Sequence, residues 1–240
     1  MRNVRVVTDV GRSNGTQSLT GANASTKNAA RLDYKSAMYG ITKRIFDIFV
    51  SVCALAVLFP IISAVSILLL LTQGGPILIS HRRVGKYGTV FPCMKFRTTA
   101  LNSDEVLARH LAAHPDIKDE WEVTRKLETD PRVTAFGQRL RKSSMDEIPQ
   151  LLNVIRGDMS LVGPRPITMS EAELYGARIS SYTSVQPGLT GLWQVSGIGD
   201  ASYARRVELD TRYAEERSLI GDFIIIARTI FSMGLTNGRC

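Results

Sequence analysis

The sequence predicts an α+β fold that is mainly helical, with a few short strands and one membrane-associated helix. Ile48 to Leu71 form a 24-residue run without a charge, which is long enough for the roughly 20 residues that cross a hydrocarbon core. Most later segments are typical of helices separated by Gly and Pro turns. Only residues 76–80 and 89–96 alternate or run apolar in the manner of a short hairpin.

The uncharged run contains a proline at its middle. Pro60 lacks an N–H and clashes with the carbonyl of Ala56, which breaks or sharply kinks a helix. Each half has 12 residues, about 18 Å, enough to reach the bilayer centre and return. Basic residues flank both ends and bias both toward the cytoplasm: Lys43, Arg44, His81, Arg82, Arg83 and Lys86. We predict a re-entrant (monotopic) helix over residues 39–73, broken at Pro60. A spanning helix with a tolerated kink is the alternative, and a cleaved signal peptide fits less well.

Charge and composition divide the rest of the chain. Residues 1–44 carry a net charge of +6, whereas the remainder carries only +2. Residues 1–38 are rich in small polar residues and predict a disordered basic tail, which either contacts anionic lipid heads or stays solvated. A nearly neutral folded part disfavours a nucleic-acid-binding domain. Three cysteines without metal-like spacing fit a reducing compartment.

Several helices are expected in the folded part, residues 74–240. A charged helical stretch covers residues 103–127 and is divided by Pro115. Residues 133–140 lead into another helix, and a third covers residues 147–155 and ends at Gly157. Residues 203–217 form a helix as well. The last one, residues 223–235, is strongly apolar and either lies at the bilayer interface or completes the core.

The densest group of charged residues occupies positions 139–149, where Arg139, Arg141 and Lys142 precede the adjacent carboxylates Asp146 and Glu147. Such carboxylates can hold Mg²⁺, and the cations can bind phosphate oxygens. An Asp carboxylate can also attack phosphorus as a nucleophile. A helix start at this point would add N–H donors for a phosphoryl group.

The same residues have a purely structural interpretation. Ser144 and Glu147 match a capping box, and Asp146 could itself be the N-cap. Pro149 favours Asp146 as the cap because a proline is tolerated in the first turn of a helix. Capping does not exclude catalysis, so both interpretations stay open at this point.

Other residues suited to phosphate lie elsewhere in the chain. Lys95 and Arg97 share one side of a predicted strand, Arg165 is fixed between two prolines, and Asp158 follows a helix end. A solvated strand face for the first two, and a local carbonyl or carboxylate contact for Arg165, are the alternatives. Neither a Walker A sequence nor a Gly-x-Gly-x-x-Gly fingerprint is present, so a standard nucleotide-binding fold is not expected.

Together these segments resemble the bacterial sugar transferase family, the monotopic polyprenol-phosphate phosphoglycosyl transferases. The resemblance runs from Lys43 to about Thr229, and the chain is most similar to the members that transfer galactose phosphate to undecaprenyl phosphate and so initiate exopolysaccharide synthesis. It rests on KRIFD (43–47), KFRT (95–98), RKSSMDEIPQLLNVIRGDMSLVGPRP (141–166), PGLTGLWQVSG (187–197) and RVELDTRY (206–213).

The resemblance implies a function and a set of site residues. Asp146 would be the nucleophile and Glu147 its catalytic neighbour, with Mg²⁺ held by both. Residues 74–240 would be a cytoplasmic catalytic domain on the inner membrane of a bacterium. It would act on a UDP-sugar and undecaprenyl phosphate among membrane lipids, without nucleic acid; a homo-oligomer is left open. The expected substrate-binding residues are Lys95, Arg97, Arg139, Arg141, Asp158, Arg165 and Gln194.

One position departs from the family pattern. Several relatives have a Ser-Pro pair at the helix break, whereas this chain has Phe59-Pro60. A Ser hydroxyl could satisfy a carbonyl freed by the break, and Phe cannot.

Transfer of glucose phosphate within the same family is an alternative activity. A membrane scaffold without catalysis is an alternative of another class, and a nucleic-acid binder ranks third.

Overall fold

Most of the described backbone is helical, and two short two-stranded sheets supply the strands. The structure is a computed structural model that describes residues 17–114, 117, 121, 127, 129–196 and 202–235, with residues 17–37 and 233–235 described by backbone alone. Within these residues, the mainly helical α+β class is confirmed. The helices are α1 Gln17–Gln73, α2 Ser103–Ala113, α3 Ala135–Lys142, α4 Gln150–Arg156, α5 Met169–Glu173, α6 Ile179–Thr183, α7 Tyr203–Glu216 and α8 Leu219–Leu235; the strands are β1 Leu78–Val84, β2 Val90–Phe96, β3 Ser160–Val162 and β4 Gly188–Thr190.

The predicted hairpin is confirmed. Strands β1 and β2 pair antiparallel, with Ile79 opposite Lys95 and His81 opposite Cys93. The turn between them contains Tyr87 and Gly88 at positive φ, 58° and 74°, a conformation that Gly adopts without steric cost. This register places alternate residues of β1 on the same face as Lys95.

Helix α1 differs from the sequence expectation in two ways. Residues 17–38, predicted as part of a disordered tail, are helical; after Gly21 they contain no Gly or Pro and several Ala, which permits a helix. Residues 1–16 of that tail lie outside the described residues. The helix also continues through Pro60 without a gap. The sequence predicted a break at this proline, but side chains on both sides of it are held by packing.

Residues on both sides of Pro60 pack on the same folded unit. By their internal contacts, residues 1–42 and 43–240 form two units. Within the second, Val50 and Leu58 pack on a core that includes Phe91 and Leu151. After the proline, Ile62 packs on a second core, and Val65 and Leu69 are buried members of it. The two halves of the apolar segment therefore contact the same unit.

Basic residues at the start of this segment bind protein groups. Lys43 Nζ lies 2.7 Å from Asp222 Oδ2. Arg44 donates to the carbonyls of Val154 (2.5 Å) and Ile155 (2.7 Å) at the carboxyl end of α4. Such cations offset the negative end of a helix dipole. Flanking charges that the sequence suggested as a topology signal therefore also attach α1 to the domain.

Loss of Arg44 should loosen this attachment. Hydrogen bonds to charged groups contribute about 1.5–3 kcal/mol, so we expect Arg44→Met to cost about 2 kcal/mol, a fall of about 4–8 °C in the unfolding midpoint. Thermal denaturation of the detergent-solubilised protein measures this change. Arg109→Met, on the exposed face of α2, is the control and should leave the midpoint within about 2 °C. An unchanged midpoint in Arg44→Met would contradict the attachment.

Strands β3 and β4 pair in parallel and fix the Gly163-Pro164-Arg165-Pro166 elbow. A Cβ on Gly163 would lie 2.3 Å from the carbonyl oxygen of Gln186, and a Cβ on Gly188 would lie 2.0 Å from the amide nitrogen of Gly163. Both distances are below any real Cβ contact, so only glycine permits this close approach. The elbow is thereby held against β4, and Arg165 projects from a fixed backbone.

Candidate active site

The adjacent carboxylates lie in a tight turn between α3 and α4. Met145–Glu147 form a single 3₁₀ turn preceded by Ser144 in the left-handed conformation, with φ 55°. The Ser144 side chain makes no capping bond, and α4 begins at Gln150 with Pro149 as its N-cap. The capping interpretation is therefore wrong for both Ser144 and Asp146. Their turn presents the two carboxylates to a cavity instead.

A lysine on the neighbouring strand holds this acidic pair. Lys95 Nζ lies 2.6 Å from Glu147 Oε1 and 3.8 Å from Asp146 Oδ2. Arg165 reaches Glu147 Oε1 at 4.0 Å. Glu147 is thus paired with two cations. Asp146 lies farther from Lys95 and is 7% exposed.

Burial raises the pKa of the Asp146 carboxyl above its usual value, and the negative charge of Glu147 raises it further. Lys95 and Arg141 act in the opposite direction. A raised pKa means a more basic carboxylate, which is a stronger nucleophile once it is ionised. A partly buried, charge-surrounded Asp is therefore suited to attack an electrophile that enters this cavity.

A polar cavity of about 300 Å³ opens over the acidic pair. Alternate residues of β1 face it, as the strand geometry requires, and cations outnumber carboxylates in its wall, which suits phosphate oxygens. The wall consists of Ile79, His81, Arg83, Lys95, Thr98, Arg141, Ser144, Asp146, Glu147 and Arg165.

Sequence reasoning did not name five residues of this wall as site residues: Ile79, His81, Arg83, Thr98 and Ser144. The signal was available, because His81 and Arg83 follow Ile79 at every second position of a strand that faces Lys95. Burial, together with Arg83, Lys95 and Arg141, lowers the pKa of His81, which favours the neutral imidazole. Thr98 accepts a hydrogen bond from Arg141 Nε at 2.9 Å and so orients that guanidinium.

A network of ion pairs, partly exposed at Arg83 and Glu171 and buried at Arg206 and Asp210, supports this wall. Glu171 Oε2 lies 3.4 Å from Arg83 Nη1. Glu171 Oε1 lies 3.6 Å from Arg206 Nη1. Arg206 also lies 3.7 Å from Asp210, which accepts a hydrogen bond of 2.7 Å from Tyr175. These ion pairs link α7 to the strand that carries Arg83.

The buried carboxyl of this network predicts a pH-dependent stability. Burial raises the pKa of Asp210 to about 6, above its value in the unfolded chain. The stabilising contribution of the protonated form is complete below about pH 4 and is lost as the pH rises to about 6. We expect the unfolding free energy of wild type, relative to Asp210→Asn, to fall by about 2–3 kcal/mol across this window. Melting curves of both proteins between these pH values test it; parallel curves would contradict it.

A second cavity of about 340 Å³ adjoins the polar one and is mainly apolar. Val50, Ala54 and Leu58 of α1 form one side and Ile226 and Ile230 of α8 the other. Ser144, Glu147 and Arg165 line both cavities. Glu147 therefore lies where a charged chamber meets an apolar groove beside α1, and Asp146 lines the charged chamber next to it.

The predicted substrate-binding residues fall into three groups. Lys95, Arg141 and Arg165 line the polar cavity, and Gln194 lines the apolar one. Three others line neither: Arg97 is buried and donates to the carbonyls of Gln73 and Gly74, Asp158 accepts a bond from Asn153, and Arg139 lies in the last turn of α3. For Arg97 the alternation that suggested a shared face with Lys95 fails because the strand ends at Phe96.

Among the described residues, no group of three or more His, Cys, Asp and Glu side chains is arranged to hold a metal. Asp146 and Glu147 provide two adjacent carboxylates beside the cations of the polar cavity. Mg²⁺ is commonly bound by one or two carboxylates together with substrate phosphates and water, so this donor set fits Mg²⁺ in the presence of a phosphorylated substrate.

Comparisons with known proteins bear on the family to which the chain belongs. The model of the bacterial sugar transferase family matches residues 38–235. The exopolysaccharide production protein ExoY of Sinorhizobium fredii is 48% identical over 199 residues, which cover 83% of this chain and 88% of the relative. The undecaprenyl-phosphate galactose phosphotransferase of Salmonella typhimurium is 46% identical over 188 residues, 78% of this chain and 39% of the relative.

A third relative carries another sugar in its name. The UDP-glucose:undecaprenyl-phosphate glucose-1-phosphate transferase of Caulobacter vibrioides is 35% identical over 205 residues, 82% of this chain and 71% of the relative. With a family match over most of the chain and close relatives along nearly their whole length, the protein belongs to the bacterial sugar transferase family.

Proposed function

We propose that this protein transfers a hexose 1-phosphate from a UDP-sugar to undecaprenyl phosphate and releases UMP, as the first membrane step of exopolysaccharide synthesis. The observation that carries the proposal is the junction of the two cavities at Glu147, directly beside Asp146. A charged chamber suits the diphosphate of the donor, and the apolar groove suits the chain of a polyprenol. Ser144, Glu147 and Arg165 line both, which brings the two phosphates to the same carboxylates.

The first step is a displacement at the β-phosphorus of the UDP-sugar. An Asp146 carboxylate oxygen forms a bond to this phosphorus while the bond to the UMP oxygen breaks. UMP leaves with that electron pair, and the sugar phosphate stays on Asp146 as an acyl phosphate. Lys95, Arg141 and Arg165 border the cavity where negative charge develops and stabilise it.

The second step regenerates the carboxylate. An oxygen of undecaprenyl phosphate attacks the same phosphorus, and the bond to Asp146 breaks. The product carries the sugar on a diphosphate bridge to the lipid. Mg²⁺ held by Asp146 and Glu147 would neutralise phosphate charge when bound. Glu147, which is already paired with Lys95, keeps that lysine beside the reacting phosphoryl group.

The same proposal places the protein at the cytoplasmic face of a bacterial inner membrane. Residues 38–73 of α1 are apolar and long enough to cross a membrane. Only 11% of their 18 most apolar consecutive residues are buried in the protein. Both halves of the segment pack on one folded unit, which supports a path that enters and leaves on one side. A proline inside a helix can kink it sharply without interrupting it, so the re-entrant path predicted from the sequence stays part of this proposal.

Galactose is the proposed sugar, with glucose as the second candidate. The more similar relative whose name states a sugar is a galactose phosphotransferase, and the glucose-1-phosphate transferase is less similar. Both activities use the same chemistry at Asp146. A scaffold without catalysis is the competing function, and it does not account for a charged cavity and an apolar groove that adjoin at Glu147.

Product analysis separates these functions. Purified full-length protein is given UDP-galactose or UDP-glucose, Mg²⁺ and undecaprenyl phosphate, and nucleotides and lipids are separated. We expect UMP together with a lipid-linked hexose phosphate, faster with UDP-galactose. Faster turnover of UDP-glucose would change the sugar and leave the reaction standing. UDP in place of UMP would overturn the reaction, and no nucleotide release from folded protein would favour the scaffold.

Removal of the Lys95 charge should slow the reaction strongly. Lys95→Met keeps the apolar stem and loses the ammonium that lies between the two carboxylates. The loss of one cation that stabilises the transferring phosphoryl group costs about 10²–10³-fold in kcat. The rate of UMP release measures it. Lys86→Met, in the hairpin turn outside the cavity, is the control; equal rates for Lys95→Met and wild type would contradict the assigned role.

A further inference from the structure

A third cavity, of about 320 Å³, lies where α7 ends and α8 begins. Arginines from both helices and from the turn between them contribute to its wall, and apolar side chains form its floor: Arg212, Arg217, Arg228, Leu192, Ile224 and Ile225. It shares no lining residue with either cavity at the acidic pair. The reaction proposed above does not use it.

The arginines of this cavity carry excess positive charge. Arg212 Nε donates to Glu216 at 2.9 Å, and Arg217 donates to the carbonyl of Ala214. Among the described residues that line this wall, Glu216 is the one carboxylate beside three arginines. Arg228 makes no hydrogen bond or ion pair with any residue that the structure describes. The wall thus offers a net charge of about +2 and a guanidinium with unused donors.

The position of Arg228 on α8 indicates where its partner lies. It is one turn after Ile224 and close to Phe231, and these side chains are 46% and 69% exposed. Ile220 and Phe223 nearer the start of α8 are also exposed. A guanidinium within an exposed apolar helix face is typical of the level where acyl chains meet headgroups. Helix α8 also lines the apolar groove together with α1, through Ile226 and Ile230 on the other side of the helix from Arg228, so α8 itself lies beside the membrane segment.

We propose that this cavity binds the headgroup phosphate of an anionic phospholipid. Arg228 donates to the phosphate, while Arg212 and Arg217 supply further positive charge. Ile224 and Ile225 contact the glycerol and the first part of the acyl chains. The inference rests on the membrane placement proposed above. It assigns α8 a specific lipid contact that fixes its depth relative to the acidic pair.

Lipid retention tests the site directly. Full-length protein is reconstituted in phosphatidylcholine bilayers with or without phosphatidylglycerol and extracted in mild detergent, and the bound lipid is counted by native mass spectrometry. Wild type should retain phosphatidylglycerol in preference to phosphatidylcholine. Arg228→Gln should reduce this retention about tenfold, the effect of one charge-assisted hydrogen bond. Arg178→Gln, an exposed arginine outside all three cavities, should behave as wild type.

Three outcomes would overturn the proposal: equal retention of both lipids by wild type, unchanged retention in Arg228→Gln, and displacement of phosphatidylglycerol by undecaprenyl phosphate, which would make the cavity a substrate site. The melting temperature of each variant checks its folding. UMP release is measured on the same samples, because the two claims can fail separately. Selective retention without UMP release would leave the lipid site standing and reject the transferase activity.

Discussion

Asp146→Asn should reduce UMP release by at least about 10³-fold. The amide is nearly the same size as the carboxylate, but it cannot form the acyl phosphate on which both steps depend. Because burial and Glu147 already disfavour a negative charge on Asp146, the neutral amide should not weaken the fold. The expected result is a folded protein with normal melting and no steady-state turnover.

Two controls make this experiment specific. Asp104→Asn removes an exposed carboxylate from the first turn of α2 and should leave turnover unchanged. Asp146→Glu keeps the carboxylate but moves it by one methylene within a turn fixed by Lys95, so it should retain only a small fraction of the rate. Wild-type turnover in Asp146→Asn would reject Asp146 as the nucleophile.

Gly137→Ala should destabilise the protein by at least about 3 kcal/mol. A Cβ at this position of α3 would lie 2.0 Å from the carbonyl oxygen of Thr98 and 2.8 Å from its Cα. These are backbone atoms, which cannot turn away as a flexible side chain could. Helix α3 would have to move outward from the end of β2, and the bond from Arg141 to Thr98 would lengthen with it.

Thermal denaturation and the yield of folded protein measure this effect. Gly40→Ala is the matched control, because it is also helical and its Cβ would meet nothing within 4 Å; alanine there should be neutral or slightly stabilising. If Gly137→Ala melted like Gly40→Ala, the close approach of α3 to Thr98 would be incorrect. A folded Gly137→Ala protein with weak turnover would still fit a displaced Arg141.

Local rules gave the hairpin, most helix positions and the acidic pair, because each depends on neighbouring residues. Lys95 could be placed by strand alternation alone. The roles of Arg97 and Gly137 could not, since both depend on contacts between segments far apart in sequence. Arg97 satisfies the carbonyls at the end of α1, and Gly137 meets Thr98. No periodicity within one segment encodes such a distance.

The amino-terminal segment shows the same limit. The sequence marks Pro60 as a helix breaker, yet the helix continues through it because core contacts on both sides hold the flanking turns. The charges of Lys43 and Arg44 predicted on which side of the membrane the segment begins. Their partners, Asp222 and the end of α4, lie more than 100 residues away in the sequence. Composition identifies such a segment, and packing decides what its ends bind.

The central claim is a sugar phosphate carried on Asp146, and trapping it is the most direct test. Wild-type protein is mixed with UDP-galactose and Mg²⁺ without a lipid acceptor, quenched in acid and digested with trypsin. We expect UMP in stoichiometric amount and a hexose phosphate on the peptide of residues 143–156, absent in Asp146→Asn and removed by undecaprenyl phosphate. UMP formed only when acceptor is present, with an unmodified peptide throughout, would show direct transfer and contradict the covalent mechanism.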